Sequence, residues 1–280
     1  MTASLSAHVG FRAANADLMS KLESGDEHCE RIGPGPDDLY HDVHTISDPH
    51  RAFGGTCGSS MWCASTALTS WLCEDPARLR QYIVGRSILE VGSGLGFTGI
   101  SLAALGARRT LLTDVSDQLP LMRVNLDTNR ALLDGRWIGS CAFEWGARPP
   151  RIFKQLKPDL VVACDVIYEE ESVAQLAKSF AALLQARTSS HRWESTPRVT
   201  RALVSLPDRI DFCYTRHGDP EVLPDYQLFL DTLDRIMRGW LHVEELEVIP
   251  SAKAGTLGTK IVVMLLRQRA EHEPGCNEYE

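Results

Sequence analysis

Hydrophobic positions change their period several times along this chain. Leu5, Val9, Leu18 and Leu22 space apolar residues as a helix over residues 1 to about 30 would. Residues 33–60 are rich in Gly, Pro, Asp and His and read as loop. Leu68, Trp71 and Leu72 mark one face of a helix running from Trp62 to Leu72. An alternation follows. Ser87–Val91 reads as a strand, then a glycine turn, then a helix over Thr98–Leu105. Thr110–Thr113 is a strand followed by a helix near Leu119–Asn129. Strands near Ile138–Phe143 and over Asp159–Cys164 precede a helix over Ser172–Leu184, and Ala202–Leu206 is a further strand. Strands alternating with helices imply a mostly parallel α/β sheet with helices on both faces. Residues 186–199 are polar and read as a surface loop. The last third differs, with a helix over Tyr226–Met237 and strands over Leu241–Val248 and Lys260–Leu266. A short connection cannot make the crossover that a parallel pair needs, so these two strands are expected to be antiparallel.

Composition adds limits. Hydrophobic residues make up 44% and charged residues 24% of the 280, as in an ordinary globular protein. The net charge of −8 argues against general nucleic-acid binding. No run approaches the roughly 18 apolar residues of a membrane span, and the N-terminus lacks a signal pattern. The eight cysteines contain no C-x-x-C pair, and most fall in predicted strands or helices. Free thiols in a reducing compartment, without zinc, are the expectation. His41, His44 and His50 are read as solvated loop histidines rather than metal ligands.

The chemistry concentrates in Ile88-Leu89-Glu90-Val91-Gly92-Ser93-Gly94-Leu95-Gly96-Phe97-Thr98-Gly99. An apolar strand runs straight into glycines that open a helix, and a ligand can approach such a turn without meeting a Cβ. Asp114, at the end of the next strand, stands where a carboxylate accepts hydrogen bonds from ribose hydroxyls. Residues 94–99 also satisfy G-x-G-x-x-G, so a nicotinamide or flavin is the alternative ligand. Glu90 favours S-adenosyl-L-methionine: a carboxylate aimed at the loop suits an amino group and a sulfonium, and repels a pyrophosphate. The glycine run also starts two residues early for the dinucleotide frame.

Four blocks in order resemble the eukaryotic seven-strand protein-lysine methyltransferases acting on non-histone targets. They are Gly55-Thr56-Cys57-Gly58-Ser59-Ser60-Met61-Trp62-Cys63-Ala64; the glycine loop with Asp114, Asn125 and Asn129; Phe143-Glu144-Trp145-Gly146; and Cys164-Asp165-Val166-Ile167-Tyr168. The resemblance covers residues 54–185 well. Its first block is most similar to the subgroup that methylates translation elongation factor 2. It implies the class I methyltransferase fold, a Rossmann-like sheet of seven strands ending in an antiparallel hairpin. It divides the chain into an N-terminal segment 1–53, a methyltransferase domain 54–270 and a tail 271–280. Trp62, Glu90, Gly92, Ser93, Gly94, Gly96, Asp114, Trp145 and Cys164 are implied cofactor residues, and Asp165 and Tyr168 catalytic ones. Cys164 replaces the usual alanine.

Plainer readings stand beside these. Trp62 and Trp145 can be core residues. Asp165 can be a helix cap, with Glu169–Glu171 as a solvated helix start. Arg187, Arg192, Arg198 and Arg201 read either as a dock for an acidic partner face or as plain solvated loop. Protein histidine, RNA or a small molecule are alternative acceptors, and a silent adenosylmethionine-binding module is the alternative class. Val166-Ile167 argues against nucleobase or glutamine chemistry, where two prolines are usual. The expected enzyme is a cytoplasmic monomer acting on a protein substrate, with no membrane partner.

Overall fold

The computed structural model describes residues 26–35, 38–48, 57–185, 200–208, 212–214, 220–222, 226–254 and 259–269. The chain divides into two units, Met1–Phe143 and Glu144–Glu280.

The first unit opens with a hairpin of β1 (Glu27–Ile32) and β2 (His41–Ile46), antiparallel from Glu27↔Ile46 to Ile32↔His41. This corrects two expectations. The end of the predicted N-terminal helix is strand, and the predicted loop contains one; the rest of that helix, 1–25, lies outside the described residues. Val43 and Ile46 are buried, while β1 is exposed along most of its length. His41 and His44 therefore sit half-buried on a strand, not in a solvated loop, and His50 lies outside the described residues.

A short 3-10 turn at Cys57–Ser59 leads to α1 (Cys63–Glu74) and α2 (Pro76–Tyr82). Ala64, Ala67, Leu68, Trp71 and Leu72 form the buried stripe of α1. Asp75 breaks the run, accepting from the Ala77 N–H at 2.8 Å, and Pro76 starts the next helix. Arg78 lies over the Trp71 ring, 4.6 Å from its centroid, and donates to the Trp71 carbonyl.

Then β3 (Ser87–Val91), α3 (Phe97–Ala104), β4 (Arg109–Asp114), α4 (Leu119–Thr128) and β5 (Trp137–Ala142) follow. β3 pairs parallel with β4, and β4 with β5. β3 and α3 are buried at every position, Thr98 and Ser101 of α3 included. No lysine occurs between Leu22 and Phe153, so the positive charge of this stretch rests on arginine and histidine.

The second unit holds α5 (Arg151–Leu156), β6 (Leu160–Cys164), α6 (Glu170–Leu184) and β7 (Arg201–Asp208). A small hairpin, β8 (Phe212–Tyr214) with β9 (Pro220–Val222), precedes α7 (Tyr226–Ile236), β10 (Leu241–Ile249), α8 (Ser251–Ala254) and β11 (Lys260–Gln268). β6 and β7 are parallel, β11 runs antiparallel to β7, and β10 runs antiparallel to β11 with a bulge at Glu245/Glu247. Phe180 of α6 and Phe229 of α7 meet edge to face, 5.2 Å between centroids, and both are wholly buried.

Seven strands, β3 to β7 with β10 and β11, make the principal sheet. Its parallel body and antiparallel C-terminal strands match the fold expected from the sequence. The polar stretch 186–199 lies outside the described residues. No described helix is long and apolar enough to cross a membrane.

Candidate active site

In the first unit β3 delivers the chain into the glycine turn. Gly92, Gly94 and Gly96 take φ values of 68°, 52° and 82°, a region that side chains resist. The Gly96 N–H closes the turn on the Ser93 carbonyl at 2.7 Å, and Gly96 caps α3. Ser93 ties the turn to β4: its hydroxyl accepts from the Thr113 N–H at 3.0 Å, and its own N–H donates to the Thr113 carbonyl.

Asp114 ends β4. Its Oδ2 accepts from the Gly94 N–H and its Oδ1 from the Val115 N–H, both at 2.8 Å. Burial pushes its pKa up from the ordinary value, while the two N–H groups pull it down. A carboxylate has about four acceptor positions, so lone pairs remain for a hydroxyl.

Glu90 is buried, only 2% exposed, under the first turn of α3. Its Oε2 accepts from the Gly99 N–H at 3.0 Å. Burial pushes its pKa up to about 8, against the hydrogen bonds from Ser93, Gly99 and Thr98 and with the repulsion of Asp114. Trp62, 44% exposed, precedes α1 and is not a core residue.

The second unit carries the other candidates. Trp145 is half-buried in the turn after β5, where the Gly146 N–H donates to Ser179 Oγ on α6 at 2.8 Å. Cys164 is buried at the end of β6. Asp165 follows with φ of 52°, a conformation that costs a non-glycine residue about 1–2 kcal/mol. Its N–H donates to the Ser205 carbonyl of β7 at 3.0 Å. Tyr168 is half-buried, its ring centroid 6.1 Å from that of Trp145 at 57°. The helix-cap reading of Asp165 fails: residues 165–169 are not helical and Glu169 occupies the cap position. Glu169, Glu170 and Glu171 are exposed, as expected of a solvated helix start.

Glu90, Gly92, Ser93, Gly94, Gly96 and Asp114 are thus one cluster, bound to each other through the turn. Cys164, Asp165 and Tyr168 share a second short segment, which Trp145 meets. Gln118, which no sequence motif points to, is wholly buried and donates to the Gly94 carbonyl. A glutamine just ahead of a helix carries no signal of its own. An open groove of about 570 Å³, lined by Arg123, Arg130 and Arg136 with Asp127 and Asp134, lies near the start of β5. No group of three or more His, Cys, Asp or Glu side chains among the described residues is placed to hold a metal.

Residues 47–192 match the model of a family described as lysine methyltransferase. The chain belongs to that lysine methyltransferase family. A relative from Cryptococcus neoformans, the protein N-terminal and lysine N-methyltransferase EFM7, is 26% identical over 196 residues, covering 68% of this chain and 62% of that protein. The mouse protein-lysine N-methyltransferase EEF2KMT is 28% identical over 240 residues, covering 82% of this chain and 63% of its own length. This family member therefore spans somewhat under two thirds of the length of either relative. Among solved structures it resembles the methyltransferase domain of bacterial CtHen1-C, with a TM-score of 0.49 and 17% identity over 75% of this chain and 100% of that one. The family assignment agrees with the resemblance drawn from the four sequence blocks.

Proposed function

We propose that this protein transfers a methyl group from S-adenosyl-L-methionine to a lysine side chain of a non-histone protein. The family match over residues 47–192 carries the reading. Translation elongation factor 2 is the first substrate to test, on the likeness of the Gly55–Ala64 block and the names of the relatives.

The glycine turn fits such a ligand. It is a helix start with partial positive charge and a partly buried carboxylate, Asp114, held by backbone at its side. We assign Gly92, Ser93, Gly94 and Gly96 to line the ligand, Asp114 to receive ribose hydroxyls, Trp62 and Trp145 to flank it, and Cys164 to meet it through backbone. Glu90 serves from beneath, and an approaching cation would draw its raised pKa back down. Bound there, S-adenosyl-L-methionine supplies a methyl group on a sulfonium.

The chain's own residues would handle the lysine. A free lysine has a pKa near 10.4 and must lose its proton before attack. Asp165 would receive the entering amine by hydrogen bond. Tyr168, braced against Trp145, would form the channel wall and aim the lone pair. Much of the acceleration then comes from positioning rather than from a strong base. The strain stored at Asp165 fits a residue held for function.

The same reading assigns the catalytic domain to 54–270 and places the enzyme in the cytoplasm as a monomer. Cys29, Cys73 and Cys141 are free thiols, which suits a reducing compartment.

The test is methyl-labelled S-adenosyl-L-methionine on eukaryotic lysate, with labelled proteins read by mass spectrometry. Label on a lysine is expected. Label on histidine, RNA or small molecules alone refutes the acceptor. Asp165→Asn keeps the side-chain shape and tolerates positive φ. It should lower transfer at least about 100-fold, in the range found for general catalytic groups, with S-adenosylhomocysteine affinity nearly unchanged. Loss of that affinity would refute the role given to Asp165.

A further inference from the structure

The glycine turn does not stand alone: a separate stretch of chain lies on it. A Cβ added to Gly94 would meet the Gly58 carbonyl oxygen at 2.9 Å, and one added to Gly58 would meet Gly94 Cα at 3.1 Å. At Gly94 the missing side chain thus serves a contact between two segments of the protein. Gln118 joins the same two segments. Its Nε2 donates to the Gly58 carbonyl at 3.2 Å and the Gly94 carbonyl at 3.4 Å. Its Oε1 accepts from the Ser59 hydroxyl at 3.3 Å. Gln118 and Ser59 are both buried.

About two turns later Asn125 repeats the device. Its Nδ2 donates to the Ile46 carbonyl at 3.1 Å and to the Leu95 carbonyl at 3.0 Å. Each amide nitrogen therefore spans one carbonyl of the glycine turn and one carbonyl of the chain that precedes α1. An N–H₂ group is the only common uncharged side-chain end with two donors. A hydroxyl could satisfy one carbonyl of each pair, and a carboxylate neither.

We infer that Gln118 is a positioning residue for the glycine turn, and that it makes the turn and the 57–62 segment order as one unit. The segment ends at Trp62, so what holds Gly94 in place also fixes the approach of that tryptophan. This assignment rests on the reading of the turn as the adenosylmethionine site only for its effect on ligand affinity; the coupling of the two segments stands on the geometry alone.

The experiment is hydrogen exchange by mass spectrometry on the full chain, without ligand and with S-adenosylhomocysteine. Wild type is compared with Gln118→Leu, which keeps bulk and removes both hydrogen-bonding ends. Without ligand, the substitution should speed exchange in peptides covering 57–62 and 92–96 together, leaving β10 and β11 unchanged. With ligand, protection should reach both segments in wild type but only 92–96 in the variant, and affinity should fall about tenfold, the scale of one lost buried hydrogen bond. Gly58→Ala leaves every hydrogen-bonding group present and should reproduce the pattern, which covers the case in which Gln118→Leu does not fold. Uniformly faster exchange over the whole chain, or a change in one segment without the other, overturns the inference. A wild type that fails to bind S-adenosylhomocysteine refutes the cofactor reading instead, and the ligand-free comparison still decides the coupling.

Discussion

At the start of α3 a methyl group on Gly99 would lie 2.3 Å from Leu112 Cδ2 and 2.6 Å from Glu90 Oε2. Neither neighbour can retreat, since both are buried within the sheet. Gly99→Ala should therefore destabilise the fold by about 1–3 kcal/mol, the usual cost of overpacking, read as a lower denaturant midpoint. Glu90 itself shows how far sequence reaches at this scale. A carboxylate two residues before a glycine run was legible as chemistry. Its burial was not, because the helix turn that covers it exists only once α3 has packed. The consequence is a pH dependence. Its folded pKa, about 8, stands above the ordinary 4.5, so the protonated form is the one the fold favours. The stability it contributes is fully present below about 4.5 and is lost as pH rises through about 8. Melting temperature of the ligand-free protein should fall over that window. Glu90→Gln, neutral throughout, should flatten the fall; an unchanged slope would show that another group causes it.

Two asparagines show how helix and strand can share a ladder. Asn125 Oδ1 accepts from the Ile46 N–H at 2.7 Å, and Asn129 Oδ1 accepts from the His44 N–H at 2.9 Å. Four residues of helix advance about 6 Å, and two residues of strand about 6.6–6.8 Å. The amides of Asn125 in α4 and of Asn129 at its C-terminal cap therefore fall in step with alternate backbone groups of β2. Asn125→Asp would turn the donating nitrogen into an oxygen facing the Ile46 and Leu95 carbonyls. The expected loss is about 1–3 kcal/mol from buried polar groups left unmatched, with faster amide exchange over 41–46; unchanged exchange there would remove the asparagine from this role. The same arrangement explains why the hairpin was missed. EHCERI and HDVHTI have few apolar residues, and backbone pairing and borrowed amides hold β2 beside its two buried apolar side chains, Val43 and Ile46. α2 was equally overlooked, although Asp75-Pro76 is a recognisable start signal. Where burial alone decides, as in β3, β6 and α6, the predicted spans were within two residues of those observed.

For the molecule as a whole, the parallel body and its antiparallel end could be read in the sequence because strands such as β6 and β11 carry their own apolar runs. The fastening of the glycine turn could not, since Gly58, Gln118 and Gly94 are far apart along the chain and nothing in the sequence pairs them. Ligand binding is felt by the entire fold. S-adenosylhomocysteine at 100 times its dissociation constant should add about 2.7 kcal/mol, and for a chain of this size that is roughly 5–10 °C in melting temperature. No shift at saturating ligand would count against the cofactor assignment. The lysine-free stretch from Leu22 to Phe153 has its own outcome for a protein assigned to modify lysine. An endoproteinase specific for lysine finds no bond to cut between Lys21 and Lys154, so it would release every residue from Trp62 through Trp145 as one fragment. Between those two lysines the protein offers itself no lysine amine to methylate.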